Sequence, residues 1–298
     1  MVTIEGIVAA MVTPFTEDGA RVAEEALRSL VDRLIDEGAD GLVPCGGTGE
    51  FAALSHGERR HVVEVVVDQT AGRVPVIAHT GAASSKEAIE LSRHAEEVGA
   101  TAVMLVLPYF EPITLEEAFD YYADIADAVG LPIVAYNHPG STGLHMTTSF
   151  LVRLATEIES VKWVKDSSAD LGQLFELAAE HPDDITVLNG IDSLLAQALT
   201  LGVRGAIMGG VNFLAPTYAR MLQASREGDP ARLTTLWRDL YPVVHFLDTN
   251  PYNQAIKAAC EIIGHPAGPP RAPARPLSAE RYDDLKARIA SLPPPEQA

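Results

Sequence analysis

Val161-Lys162-Trp163-Val164-Lys165-Asp166-Ser167-Ser168 is an apolar strand that ends on a lysine, followed by residues that open a helix. A strand running straight into such a loop is one β–loop–α unit, and the same rhythm recurs on both sides of it. If Val161 and Trp163 face inward, the two-residue strand period puts Lys165 on their side. An ammonium at the end of a buried strand is costly to desolvate, so its pKa is expected to fall. A lysine made partly neutral is a nucleophile for carbonyl carbon, which is Schiff-base chemistry. The plain alternative is a strand-end lysine that points to water.

Upstream, Gly6–Pro14 is a continuous apolar run stopped by proline, as in a strand buried on both faces. Residues Val22–Glu37 then space Ala26, Leu30 and Leu34 as one helical face, with Gly38 as the stop. The alternation continues with strand Gly41–Cys45, a Gly-rich loop, and a helix capped at Ser55. Next come strand Val74–Ala78, helix Ser84–Val98, strand Ala102–Leu107 and helix Thr114–Val129. Strand Pro132–Tyr136 and helix Thr147–Ile158 lead to the lysine strand. Downstream, strands Ile185–Leu188 and Gly205–Met208 flank a helix over Asp192–Leu201.

Eight short strands alternating with helices over about 220 residues have the size and rhythm of an α/β (β/α)8 TIM barrel. An open doubly wound sheet is the competing architecture, but no G-x-G-x-x-G follows the first strand. The barrel is therefore expected over residues 1–228. A C-terminal helical appendage over 229–298 carries a Pro-rich connector, Pro266–Pro276, and a last helix, Ser278–Leu292, before a frayed tail, Pro293–Ala298.

Composition narrows the function. With 298 residues, 47% of them hydrophobic, the chain can build one large core. A formal charge of −19 excludes a nucleic-acid partner, because no basic patch would dominate that field. Two distant cysteines, Cys45 and Cys260, point to a reducing, cytoplasmic setting without disulfides. The N-terminus is too polar for a signal peptide and no apolar run approaches a membrane span.

Barrel enzymes place their chemistry at the C-terminal ends of the strands, and few polar residues stand there. Gly46-Gly47-Thr48-Gly49-Glu50 reads either as a cradle for a carboxylate or phosphate or as an ordinary tight turn. Tyr136 shares the parity of Val134, so its hydroxyl is either a proton shuttle beside Lys165 or a core phenol. His79 and His138 lack a third ligand at metal spacing; they are expected as substrate contacts or as packed rim residues, and no metal is expected. His56 and His245 are read as structural or solvated.

Taken together, the motifs resemble the dihydrodipicolinate synthase/N-acetylneuraminate lyase family of class I, pyruvate-handling lyases. They are Val12-Thr13-Pro14-Phe15, Gly47-Thr48-Gly49-Glu50, Tyr136-Asn137-x-Pro139, Thr142-Gly143, Val164-Lys165-Asp166-Ser167, Gly190-Ile191-Asp192 and Asn250-Pro251…Lys257. The resemblance implies an imine between Lys165 and the C2 carbonyl of a 2-oxo acid, with Tyr136 as proton donor and acceptor. It implies that the substrate carboxylate rests on the Gly47 and Thr48 N–H groups and the Thr48 hydroxyl, near the Ile207 backbone. It also implies no metal or organic cofactor, small-molecule 2-oxo acid and aldehyde partners, and a homotetramer built as a dimer of dimers.

Three positions depart from the synthase pattern. Ser141 stands where the synthases carry an arginine that clamps the carboxylate of aspartate semialdehyde. Gly47 and Phe110 stand where they carry a threonine and a tyrosine that relay protons, so Tyr109 or a water would have to substitute. Gly46-Gly47-Thr48-Gly49-Glu50-Phe51 is similar to the 5-keto-4-deoxyglucarate dehydratase branch, and Lys165-Asp166-Ser167-Ser168 to 2-keto-3-deoxy-sugar-acid aldolases. The first expectation is accordingly a Schiff-base aldolase or dehydratase for a 2-keto-3-deoxy sugar acid, with His79, His138 and Ser141 reading the distal hydroxyls. A 4-hydroxy-tetrahydrodipicolinate synthase is the second expectation, and a non-catalytic barrel that binds a 2-oxo acid is the third.

Overall fold

The structure, a computed structural model, describes residues 3–293; the tail expectation beyond Pro293 falls outside them. Eight strands form one parallel sheet: β1 (Gly6–Ala10), β2 (Gly41–Val43), β3 (Ile77–His79), β4 (Ala102–Val106), β5 (Ile133–Asn137), β6 (Val161–Asp166), β7 (Thr186–Asn189) and β8 (Gly205–Met208). Their order is β2-β1-β8-β7-β6-β5-β4-β3. A parallel bridge, Leu42↔Val76, joins β2 to the approach to β3 and closes the sheet into a barrel. Helices α1 (Glu24–Asp36), α2 (His56–Thr70), α3 (Ser85–Glu97) and α4 (Leu115–Ala128) follow the first four strands. After β5 come a single turn, α5 (Pro139–Thr142), and α6 (Thr148–Glu157); α7 (Leu171–Glu180), α8 (Leu195–Thr200) and α9 (Val211–Arg226) follow the last three. The C-terminal part is helical: α10 (Pro230–Thr249), α11 (Tyr252–Ile262) and α12 (Ala279–Ala290). Among the described residues no helix is long and apolar enough to cross a membrane.

Alternation along each strand makes two cores. Val8, Val43, Met104, Val134, Trp163 and Ile207 fill the barrel interior, whereas Ile7, Leu42, Leu105, Ile133 and Val164 pack against the helices. Both faces are dry, which is why the strands read as unbroken apolar runs. One expectation is corrected here. Val161 packs with the helix-facing core, while Trp163 packs inside the barrel. The pairing of β5 with β6 shifts register between Ile133 and Val134, so Val134 meets Trp163 and Lys162 is skipped. Lys165 therefore shares its face with Trp163 but not with Val161.

Side chains set most element ends. Ser55 caps α2 in a reciprocal capping box with Glu58, as its sequence position suggests, and Ser84 and Thr114 cap the next two helices. β1 stops at Ala10, short of the expected Pro14. Beyond it the Val12 N–H donates to the Asn212 side chain (3.0 Å) and the Thr13 hydroxyl to Gly49 C=O (2.7 Å), not to a neighbouring strand. The helix expected over Asp192–Leu201 begins instead as a 3-10 turn, Asp192–Leu194, and the Asp192 carboxylate faces inward to Tyr218 and the Gly210 N–H and caps neither the turn nor α8.

Candidate active site

The register that pairs β5 with β6 puts Tyr136 beside Lys165 and Asn137 beside Asp166. Neighbours in a parallel pair share a face, so both catalytic candidates project into the barrel mouth. Lys165 Nζ lies 4.2 Å from the centre of the Tyr136 ring, and the two residues are 5% and 7% exposed. Asp166, on the opposite face, is a hub. It accepts from Asn137 Nδ2 (3.0 Å), Gln173 Nε2 (2.7 Å), and both the N–H and hydroxyl of Ser168 (2.9 and 2.6 Å). These bonds tie the end of β6 to β5, to α7 and to the following loop, on the face away from Lys165.

A cavity of about 600 Å³ opens over Lys165. Gly47 and Thr48 border it from the loop after β2, Tyr136, His138 and Ser141 from the end of β5, and Ile207 from β8. A second wall comes from Asp192 and from the α10–α11 junction, where Asp248, Asn250, Tyr252 and Asn253 reach in. Among the described residues Lys165 is the only lysine or arginine on the lining.

The Gly-rich loop is held from outside. Cys45 and Glu50, on either side of it, both adopt left-handed backbone (φ 59° and 56°), which costs a non-glycine residue about 1 kcal/mol. Glu50 is fixed by Lys257 Nζ (2.8 Å) and by the Arg271 N–H (2.9 Å), and Asn253 Nδ2 donates to Gly47 C=O (2.8 Å). Gly49 is crowded: a Cβ there would stand 3.1 Å from Met11 C=O. Nothing lies within 4 Å of a Cβ added to Gly47, so that glycine leaves open volume. Among the described residues the Gly47 and Thr48 N–H groups donate to no protein acceptor, and such an orphan pair suits an anion.

Two candidates lie off the lining. His79 is 1% exposed, packed between Phe51 (4.7 Å between ring centres) and Tyr136 (6.4 Å), and among the described residues neither ring nitrogen has a hydrogen-bond partner. Phe51 and Tyr136 pack against it, and it does not border the cavity. Tyr109 is 39% exposed and stands edge-on to Phe51 at 5.6 Å, outside the cavity. His138 and Ser141 do meet, at a long 3.5 Å between Nε2 and Oγ. His56 pairs with Glu87 (2.6 Å) on the surface and His245 stacks on Tyr241, both away from the site.

Desolvation, reinforced by nearby Arg59 and Lys165, drives the His79 pKa well below 6.5; desolvation and then Lys165 lower that of His138. Folding therefore disfavours the protonated form of both imidazoles, most strongly that of His79, while the unfolded chain takes up protons below pH 6.5. Stability should thus be full above that value and fall as pH drops through it. Thermal melts between pH 7.5 and 5.5 should show this loss, and His79→Leu should flatten it. An equal pH slope in the variant would assign the loss elsewhere.

Reading the sequence missed the second wall. Asp192 was visible as the polar end of β7, but Tyr252, Asp248 and Asn253 lie in the part read as an appendage. The Asn250-Pro251 break between two helices was the available signal, since it turns the start of α11 toward the barrel.

The Dihydrodipicolinate synthetase family model matches residues 3–292. The chain is similar to the 4-hydroxy-tetrahydrodipicolinate synthase of Methanopyrus kandleri (39% identity over 291 residues, 97% of this chain and 96% of the relative). It is also similar to that of Thermomicrobium roseum (40% over 292 residues, 97% and 95%). Among solved structures, dihydrodipicolinate synthase DapA-2 of Bacillus anthracis superimposes with a TM-score of 0.95 at 32% identity, covering 99% of this chain and 100% of that one. YagE of Escherichia coli K12, solved in complex with pyruvate, gives a TM-score of 0.92 at 32% identity, covering 98% and 99%.

Proposed function

Because the chain belongs to the dihydrodipicolinate synthetase family, we propose that Lys165 attacks the C2 carbonyl of pyruvate and carries it as an imine. The observation behind this is the registered pair Tyr136–Lys165 at the mouth of the barrel. Tyr136 moves the protons of imine formation. The pyruvate carboxylate rests on the orphan N–H groups of Gly47 and Thr48 and on the Thr48 hydroxyl, beside the Ile207 backbone. Once protonated, the imine withdraws electrons and stabilises the enamine that makes or breaks the bond to C3. The chemistry uses no metal or organic cofactor.

For the partner aldehyde, the names of the relatives support 4-hydroxy-tetrahydrodipicolinate synthase, the condensation of pyruvate with aspartate semialdehyde. This reverses the order in which the sequence features alone rank the two activities. One observation keeps cleavage of a 2-keto-3-deoxy sugar acid as the second reading. Among the described residues no lysine or arginine other than Lys165 lines the cavity, and Ser141 and His138 offer hydrogen bonds where a second carboxylate needs a clamp. Turnover with pyruvate and aspartate semialdehyde, set against pyruvate release from 2-keto-3-deoxygluconate, separates them. Activity in the first assay alone supports the synthase; activity in the second alone rejects it. The family resemblance also supports a dimer of dimers, with the exposed Phe110 at a contact, which a light-scattering mass would check.

A further inference from the structure

One face of α11 grips the loop that carries the carboxylate cradle. Asn253 and Lys257 stand four residues apart on that helix and so lie on one side of it. Asn253 Nδ2 donates to Gly47 C=O at 2.8 Å, and Lys257 Nζ pairs with the Glu50 carboxylate, also at 2.8 Å. The two contacts fall on the first and last residues of Gly47-Thr48-Gly49-Glu50. The helix start is itself seated through its first residue, because the Tyr252 hydroxyl donates to Asp192 and accepts from the Gly209 N–H at 3.0 Å. A Cβ on Gly209 would lie 2.6 Å from Tyr252 Oη and 3.0 Å from Thr48 Oγ1, so helix and cradle meet in space that a glycine leaves.

The Asn253 contact bears on the chemistry because Gly47 C=O and Thr48 N–H belong to one peptide group. In a planar trans peptide the two bonds point in opposite directions, so fixing the carbonyl aims the N–H. The carbonyl accepts from two donors, Asn253 Nδ2 on α11 and, at 3.0 Å, the Glu50 N–H inside the loop. The Glu50 bond closes a four-residue turn and moves with it. The Asn253 bond instead ties the peptide to a separate element, 206 residues further along the chain. Such an anchor matters at this point, because Gly46 and Gly47 precede the peptide and a Cβ on Gly47 would meet nothing within 4 Å. The peptide before it is held by a longer bond, Phe51 N–H to Gly46 C=O at 3.4 Å.

We propose that Asn253 is a positioning residue for the 2-oxo acid: it fixes the Gly47–Thr48 peptide so that the Thr48 N–H faces the substrate carboxylate. This rests on the cradle role and the imine proposed above. The carboxylate keeps its bond to the N–H before and after the imine forms. Losing the anchor therefore weakens binding and leaves the chemical step intact.

The rate at which cyanoborohydride traps Lys165, followed by mass spectrometry against pyruvate concentration, tests this on the full chain without any aldehyde. In Asn253→Ala the half-saturating pyruvate concentration should rise about fivefold, with the rate at saturation within about twofold of the parent. Asn253→Asp cannot donate to the carbonyl once ionised, and its half-saturation should rise at least as much. An acidic side chain in the first turn of a helix is favourable, so Tm of that variant should be unchanged or higher. A residue that merely stabilises α11 would leave half-saturation unmoved in Asn253→Asp, so affinity and Tm separate the two roles. A rise below about twofold in Asn253→Ala would overturn the proposal. A rise in Asn253→Asp alone would also overturn it, by assigning the effect to charge added near the carboxylate. Loss of the fold in both variants would make Asn253 structural and overturn it as well. A parent that pyruvate does not label fails the imine reading before any variant is made, and the proposal falls with it.

Discussion

Replacing Lys165 with alanine is expected to lower turnover by at least about a thousandfold while leaving the barrel folded. Among the described residues the amine is the only group on the cavity lining able to form an imine, so no neighbour substitutes for it. The fold should tolerate the loss for a separate reason. Lys165 is 5% exposed and pairs with no carboxylate among the described residues, its contact being the Tyr136 ring at 4.2 Å. A desolvated, unpaired cation costs stability, so deleting it offsets the packing lost with its stem. Lys165→Arg, which keeps the charge but not the nucleophile, should be equally inactive. Appreciable turnover in either variant would contradict the account, and complete inactivity would remove the non-catalytic reading.

The second large effect is on stability and lies outside the cavity. Glu50 and Lys257 form an ion pair at 2.8 Å with side chains 6% and 2% exposed. Around it, Lys257 donates to Pro269 C=O (3.0 Å) and sits over the Phe15 ring at 4.0 Å, and Arg271 crosses the same ring at 4.2 Å. Arg271 also grips Glu58 and the carbonyls of Gly19, Ala20 and Ala53. The connector after α11 is thereby bolted to the loop that carries Gly47 and Thr48. Glu50→Gln leaves a buried ammonium without its counter-charge, which should cost about 3 kcal/mol, the low end for a broken buried pair because Pro269 and Phe15 remain. Adding Lys257→Met should recover much of that loss, since replacing both partners removes both desolvation terms. Denaturant unfolding of the two singles and the double gives the coupling. A single variant costing under about 1 kcal/mol would show that the pair does not hold the loop.

Residue patterns made the barrel legible because each strand is buried on both faces and each helix carries one apolar stripe. Lys165, Tyr136, Thr48 and Gly47 were legible for the same reason: parity and strand ends predict where a side chain points. Three things escaped. The bulge that turns Val161 outward depends on pairing with β5, which no local pattern encodes. Phe51 packs against His79 only because the 3-10 turn after the Gly-rich loop folds back over the barrel mouth. Tyr252 reaches the cradle because α11 packs against the barrel, a contact between residues far apart in the chain. The preference for the sugar acid rests on Ser141, Gly47 and Phe110 and on the likeness of two loops to sugar-acid enzymes, and the relatives' names weigh against it.

Borohydride reduction in the presence of pyruvate, followed by peptide mass spectrometry, addresses the imine most directly. The account predicts one reduced pyruvate adduct, on the peptide carrying Lys165, that disappears in Lys165→Ala. An adduct on another lysine, or none with pyruvate at saturating concentration, would contradict it.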